Sequence, residues 1–343
     1  MKANTLLQQI SKLLPLTTGG RIIPIIACIK FDGDNTFSAT DMRNYMDVSI
    51  NDTGINTPFC VDASKFTNIL KGFRDKELKF KVTDKDITIK SDKSKYKLPI
   101  EPVDDFPTIK GDFNNATELD GTDLYQAIND TSFAVSRDEL RPAMCGICFT
   151  NNKVVSTDAH RLVESNYLHG LNFILPVSCA TLISNNISDK AIISDNSTHI
   201  KIDLGNIIIH TRKIEEKFPD YKMVVPTSFN HSYIFNTEDM EQVVKRLLLT
   251  ANSNTSAIVF ELSSDSGCIA YSSDVDFGID GHEQLEGDYI GDGIKIGFNG
   301  KFILDALRSI NQDQLVLKLN TPNKAGVIEC NNKIVLLMPV VVN

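Results

Sequence analysis

Residues 154–162 read VVSTDAHRL, an apolar run that breaks into Thr-Asp and then Ala-His-Arg-Leu. The same break occurs at FSATD (37–41) and at IAYSSD (269–274), so Asp41, Asp158 and Asp274 stand 117 and 116 residues apart. A motif that returns at a fixed step marks an internal repeat, and each repeat is one structural unit. Other features keep the step. Apolar residues at i, i+3 and i+4 predict a helix opening each third, in LLQQISKLL from Leu6, LYQAINDTSFAV from Leu124 and MEQVVKRLLLTA from Met240. A second short helix follows in each third: ASKFTNILKGF, SCATLISN and GKFILDALRSI. Asp62, Ser178 and Asn299 stand where N-caps belong.

After each second helix the period changes to two. LKFKVTDKDITIKSDKSKYKLPI, AIISDNSTHIKIDLGNIIIHT and LVLKLNTPNKAGVIECNNKIVLLMP alternate apolar and polar residues between Asp, Asn, Gly and Lys turns. Such segments predict antiparallel hairpins. Each third is therefore helix, strands, helix, strands, over about 115 residues, a comfortable single-domain size. Polar, Pro-bearing stretches separate the thirds, and DDFP (104–107) and KFPDY (217–221) hold matching places near the ends of the first two. The expected organisation is three tandem α+β domains of one fold, at residues 1–115, 116–225 and 226–343.

Composition sets limits on the function. The 343 residues are 42% hydrophobic and 23% charged, with a formal net charge of −9. That is a soluble globular composition, and no run of about 18 apolar residues predicts a membrane span. MKANTLLQQISKLLPL lacks the unbroken apolar stretch of a signal peptide, so a cytoplasmic location is expected. A net negative charge argues against a protein that coats nucleic acid by charge alone. The charge is uneven, however: +2 over residues 1–115, −4 over 116–225 and −7 over 226–343. Any nucleic-acid contact is therefore local.

Candidate chemistry is thin. Seven scattered Cys (28, 60, 145, 148, 179, 268, 330) read as reduced thiols. Cys145 and Cys148 form CGIC, but RPAMCGICFT reads as a strand, where residues i and i+3 point to opposite faces. DGDN (32–35) lacks the ligand spacing of a calcium loop and reads as a hairpin turn. No GxGxxG, GxxxxGK[ST] or GxSxG motif occurs. Only the middle repeat places a His beside its Asp, against TDMR (40–43) and SDVD (273–276). One reading of Asp158 and His160 is a metal-dependent hydrolase. It lacks a second closely spaced ligand pair.

Six landmarks in order carry a resemblance over the whole length: TGGRIIPII (18–26), ELRPAMCGICF (139–149), STDAHRL (156–162), KFPDYKMVVP (217–226), IGFNGKFILDAL (296–307) and LLMPVVV (336–342). They resemble the GGRxxLPIL, RPxLxGV, ATDGHRL, FPDY, FNxxYLxDAL and Met-Pro-Met-plus-basic elements of the bacterial β sliding clamps, processivity subunits of the replicative DNA polymerase. The resemblance implies three copies of the DNA-clamp domain, each with two helices packed on antiparallel sheets, forming half of a closed ring. It implies a homodimer around duplex DNA, bound without regard to sequence. Such a clamp is not an enzyme, needs no cofactor or metal, and tethers the polymerase, the clamp loader and other proteins through short Gln/Leu/Phe peptides. A clamp-fold scaffold that does not encircle DNA is the remaining alternative.

The resemblance also assigns residues. The peptide pocket would take Met144 from a second-domain strand, and Thr157, Ala159, His160, Arg161 and Leu162 from the turn. Pro219, Met223 and Val224 would join them, with Leu336, Leu337, Met338, Pro339 and Val340. Arg21 matches the family's DNA-touching loop arginine. Basic residues on predicted helices join it: Lys12, Lys65, Lys71, Arg74, Lys245, Arg246, Lys301 and Arg308. The second domain would contribute Arg137 and Arg141 from loops. Three departures point to a more apolar, less cationic pocket with a variant peptide preference. Ala159 replaces a usual Gly, Met223 replaces a common basic residue, and MPVVVN lacks the basic residue after Met-Pro-Met. If the backbone at 159 needs positive φ, Ala is strained there.

Overall fold

The fold is that of a computed structural model, which describes residues 1–19, 23–73, 75–109, 111–330 and 332–341. In the first repeat α1 (Ala3–Ile10) continues as a 3-10 turn over Ser11–Thr17, where Pro15 cannot supply an α-helical N–H. A first meander follows: β1 (Cys28–Phe31), β2 (Thr36–Thr40), β3 (Asn44–Ser49) and β4 (Phe59–Asp62). Then come α2 (Ala63–Phe73) and a second set, β5 (Lys79–Val82), β6 (Asp86–Ser91) and β7 (Ser94–Pro99).

The second repeat runs β8 (Asn114–Asp120), α3 (Gly121–Ser132), β9 (Gly146–Thr150), β10 (Lys153–Thr157), β11 (Arg161–Asn166) and β12 (Phe173–Pro176). It continues with α4 (Val177–Ser184), β13 (Lys190–Asp195), β14 (His199–Asp203) and β15 (Ile207–Arg212). The third has β16 (His231–Asn236), α5 (Thr237–Leu247), β17 (Ala257–Ser263), β18 (Gly267–Asp274) and β19 (Ile279–Leu285). After β20 (Asp288–Ile290) and β21 (Ile294–Asn299) come α6 (Gly300–Arg308), β22 (Gln314–Leu319), β23 (Gly326–Cys330) and β24 (Lys333–Leu337). No helix of the described residues is long and apolar enough to cross a membrane.

Sheets form across repeats by one rule. The third strand of a repeat's first meander pairs antiparallel with the last strand of the next repeat: β3 with β15, and β11 with β24. This gives an eight-stranded sheet β4-β1-β2-β3-β15-β14-β13-β8 and a nine-stranded sheet β12-β9-β10-β11-β24-β23-β22-β16-β20. Two shorter sheets remain, β19-β18-β17-β21 and β5-β6-β7. The chain accordingly divides into two compact units. One comprises Met1–Tyr125 with Ser178–Lys213, and the other Gln126–Val177 with Ile214–Asn343.

Local sequence explains most elements. Asp62 Oδ1 accepts from Lys65 N (2.8 Å), and Asn299 Oδ1 accepts from Lys301 N (2.9 Å), so both act as N-caps. Asp32 Oδ1 accepts from the N–H groups of Asp34 and Thr36, which shapes the DGDN turn. Three expectations are corrected. Ser178 is not an N-cap: α4 begins at Val177, and the Ser178 hydroxyl instead accepts from Asn44 Nδ2 (3.1 Å). RPAMCGICFT is not one strand. Pro142–Cys145 is a 3-10 turn with Pro in its first position, and β9 starts at Gly146. Met144 is thus supplied by a turn, and Cys145 Sγ donates to Asp138 O (3.2 Å). The third correction is α3, which stops at Ser132 rather than running through Val135, so Phe133 leaves the helix for an aromatic contact described below.

Candidate functional site

The Thr157–Arg161 turn is built by its own side chains. Thr157 Oγ1 donates to Arg161 O (2.7 Å) and accepts from Ala159 N (3.1 Å). Asp158 Oδ1 accepts from the N–H groups of His160 and Arg161, both at 2.9 Å. This closure holds Ala159 at φ 74°, the left-handed region, so the strain foreseen for a Cβ at that place is present.

Arg161 then locks the turn to its surroundings. Its Nε donates to Asp158 Oδ2 (3.0 Å) and its Nη1 to Asp305 Oδ2 of α6 (2.6 Å). The guanidinium lies over the rings of Phe302 (4.4 Å) and Phe133 (5.4 Å), and the side chain is 10% exposed. A planar cation that donates to two carboxylates while lying against two aromatic faces is a role Lys could not fill in the same way. Arg161 therefore holds the turn. Both Asp158 oxygens are thus engaged within the turn, Oδ1 by two backbone N–H groups and Oδ2 by the guanidinium. Among the described residues no group of three or more His, Cys, Asp or Glu is placed to hold a metal ion. The His160 ring is exposed and stacks on Phe302 (6.3 Å).

The expected pocket residues of this unit fall into a floor and a margin. Leu162 and Leu336 are register partners across β11 and β24. They share a buried cluster with Cys148, Val155, Tyr221 and Val327. Burial raises the Cys148 thiol to about 11, leaving it protonated and unreactive at neutral pH. Tyr221 anchors the short 3-10 turn Tyr221–Met223 in that cluster, which leaves Met223 (83% exposed) and Val224 outside. Met338 is 38% exposed, and its N–H donates to His160 O (2.8 Å), while Val340 N donates to Gly297 O (2.8 Å). Leu337 is a correction. It alternates to the other face of β24 and joins the core of Phe298, Leu304 and Leu307. Phe302 and Asp305 were missed, although FNGKFILDAL contains both. Their i, i+3 spacing on α6 was the available signal.

Of the expected DNA contacts, Arg21 and Arg74 lie outside the described residues. Lys12 is half-buried in the 3-10 turn after α1, and Lys65, Lys71 and Lys301 are exposed on helices. Lys65 lies 3.7 Å from Asp62. Arg137 is exposed in the loop after α3, and Arg141 pairs with Asp138 (2.8 Å). The third repeat's cations are largely matched. Lys245 (2.9 Å) and Arg308 (3.0 Å) share Glu241, and Arg246 makes a two-pronged contact with Glu283 (2.6 and 2.8 Å). Hydrogen bonds from Lys245 and then Arg308 hold the Glu241 carboxyl below its ordinary pKa.

Models of the DNA polymerase III beta subunit match the chain in three consecutive parts. The N-terminal domain matches residues 1–110, the central domain 118–220 and the C-terminal domain 222–338. The Beta sliding clamp of Streptococcus pneumoniae is 24% identical over 343 residues, covering 92% of this chain and 90% of its own. That of Chlamydia muridarum is 23% identical over 357 residues, covering 97% and 95%. Among solved structures, a DNA polymerase sliding clamp from Pseudomonas aeruginosa superposes with a TM-score of 0.92 at 19% identity, covering 100% and 99%. A sliding clamp from Bartonella birtlesii bound to griselimycin gives 0.92 at 22%, covering 100% and 99%. The superpositions establish the fold, three tandem clamp domains of helices on antiparallel sheets.

Proposed function

We propose that this chain, which belongs to the DNA polymerase III beta subunit family, serves as a sliding clamp: a homodimeric ring around duplex DNA that tethers the replicative polymerase without catalysing a reaction. The observation that carries this reading is the pairing rule between repeats. It is satisfied twice within the chain and leaves one strand of each kind at a sheet edge. β19 holds the place of β3 and β11, and β7 holds the place of β15 and β24. Exposed edges of this kind invite another strand. Two copies joined head to tail satisfy the rule at both remaining seams, and a closed cyclic dimer leaves neither edge open.

The domains of this reading are residues 1–115, 116–225 and 226–343. DNA contact falls to Arg21 and the helix cations. Lys12, Lys65, Lys71, Arg137 and Lys301 take more of it than the acid-matched Arg141, Lys245, Arg246 and Arg308. Weak, sequence-blind phosphate attraction suffices when topology prevents escape. Partner peptides dock where Leu162 and Leu336 form an apolar floor beside Pro219, Met223, Val224 and Met338, with the exposed ring of His160 at the margin. The polymerase and the clamp loader reach the clamp there, in the cytoplasm. A mass measurement across micromolar concentrations tests the assembly. A dimer is expected, and a monomer throughout contradicts the ring.

A further inference from the structure

We infer that the ring seam closes in one register, with Tyr96 of one copy seated over Gly281 of the other and Lys97 opposite Asp280, and that edge charge selects the head-to-tail orientation. The inference rests on the ring reading and adds the chemistry of its seam.

The register follows from the two seams already present. In β2–β3 Met46 stands opposite Ala39, two residues before Asp41, and in β10–β11 Val163 stands opposite Ser156, two before Asp158. In β18–β19 the residue opposite Ser272, two before Asp274, is Gly281. On the other side, Val335 lies two residues past Lys333, the register partner of Cys330. Tyr96 lies two past Ser94, the register partner of Ser91. Tyr96 faces Ile89 as Val335 faces Ile328 and Ile209 faces Ile202. Met46 pairs with Ile209 and Val163 with Val335 across the existing seams, and all four are 0% exposed. Carrying that pairing to the open edges sets Tyr96 against Gly281.

Size and charge fit the assignment. The two internal seams put two medium side chains face to face, whereas the open seam would put the largest against none. Tyr96 is 49% exposed, packed edge-on against Phe73 of α2 (5.4 Å), and its outer flank is uncovered. One step along, Lys97 takes the place of Leu336, and Asp280 that of Leu162. Lys97 reaches Asp86 within its own sheet (2.7 Å), and Asp280 lies 3.5 Å from His282, so each arrives beside a group of opposite or titratable charge. The β5–β7 sheet carries Lys79, Lys81, Lys90, Lys95 and Lys97, while β19 carries Asp280 and Glu283. Pairing β7 with a second β7 about Tyr96 would set Lys95 against Lys97 and ring against ring. Like charges directly opposite are destabilising, so this wrong partner is rejected.

Paired cysteines test the register in the full-length chain. Lys97→Cys with Asp280→Cys should cross-link under mild oxidation into a covalent dimer on a denaturing gel, more completely than Lys97→Cys with His282→Cys, two residues off. Preferential linking of the off-register pair in a protein that is still dimeric by mass overturns the register and leaves the ring standing. A monomer by mass removes both. For the charges, Lys97→Asp should weaken the dimer roughly tenfold, because each cross-strand pair occurs at both seams. Adding Asp280→Lys should restore it to within about threefold. Equal weakening by the single and double reversals contradicts the pairing.

Discussion

The turn at Thr40–Asn44 and the turn at Thr157–Arg161 share a backbone and differ in what they hold. Thr40 repeats the hydroxyl bonds of Thr157, and Met42 repeats the φ of 74° at Ala159. In the first turn the arginine position is Asn44, whose amide donates to Asp41 and Ser178 and accepts from Thr211 Oγ1 (2.8 Å). In the second it is Arg161, bound to Asp158 and Asp305 and sandwiched by aromatics. The floors diverge as well. The register pair Tyr45–His210 stands where Leu162–Leu336 stands, and Lys30 and Ser38 stand where Cys148 and Val155 do. One design thus yields a polar seam and an apolar one. Only the apolar seam suits Leu and Phe side chains of a partner.

The largest way to break this comparison is to delete the two locks. Arg161→Ala leaves two carboxylates facing a void and should cost about 3 kcal/mol in denaturant unfolding. Asn44→Ala removes no charge and should cost less, about 2 kcal/mol. An equal or reversed order would mean that the charged lock is no stronger. Met338→Ala should weaken a Gln/Leu/Phe peptide roughly tenfold in a binding titration while the dimer persists. Unchanged affinity would remove Met338 from the pocket.

The polar floor also makes the first unit acid-sensitive. Burial, outweighing the opposite pull of Asp47, lowers the pKa of His210. Its neutral form is favoured by the fold, so its support is present above about pH 6.5 and is lost as pH falls and the unfolded chain takes up the proton. His169, also lowered by burial, does the same in the second unit. His210→Leu should therefore reduce, without abolishing, the loss of thermal stability between about pH 6.5 and pH 5. The smallest effect is Ala159→Gly, which relieves the left-handed strain and should stabilise by up to about 1 kcal/mol.

What the sequence made legible was local. Period-2 runs gave the hairpins, Asp62 and Asn299 announced their caps, and the usual Gly at 159 announced positive φ. Cross-repeat pairing was not legible, because β3 meets β15 across more than a hundred residues and no local pattern encodes a long-range partner. The 3-10 turn at Pro142–Cys145 hid because Pro-Ala-Met-Cys runs without a polar break into the apolar strand that begins at Gly146. The lock on Arg161 was hidden because Phe302 and Asp305 come from α6, far along the chain. Leu337 needed only the alternation rule to be set apart from Leu336.

The central claim is that this chain encircles DNA rather than adhering to it. It is tested by loading the protein onto nicked circular DNA, separating bound from free, and then cutting the circle once. A ring held by topology should slide off the linear product while staying on the uncut circle. Retention on the cut DNA would contradict the account.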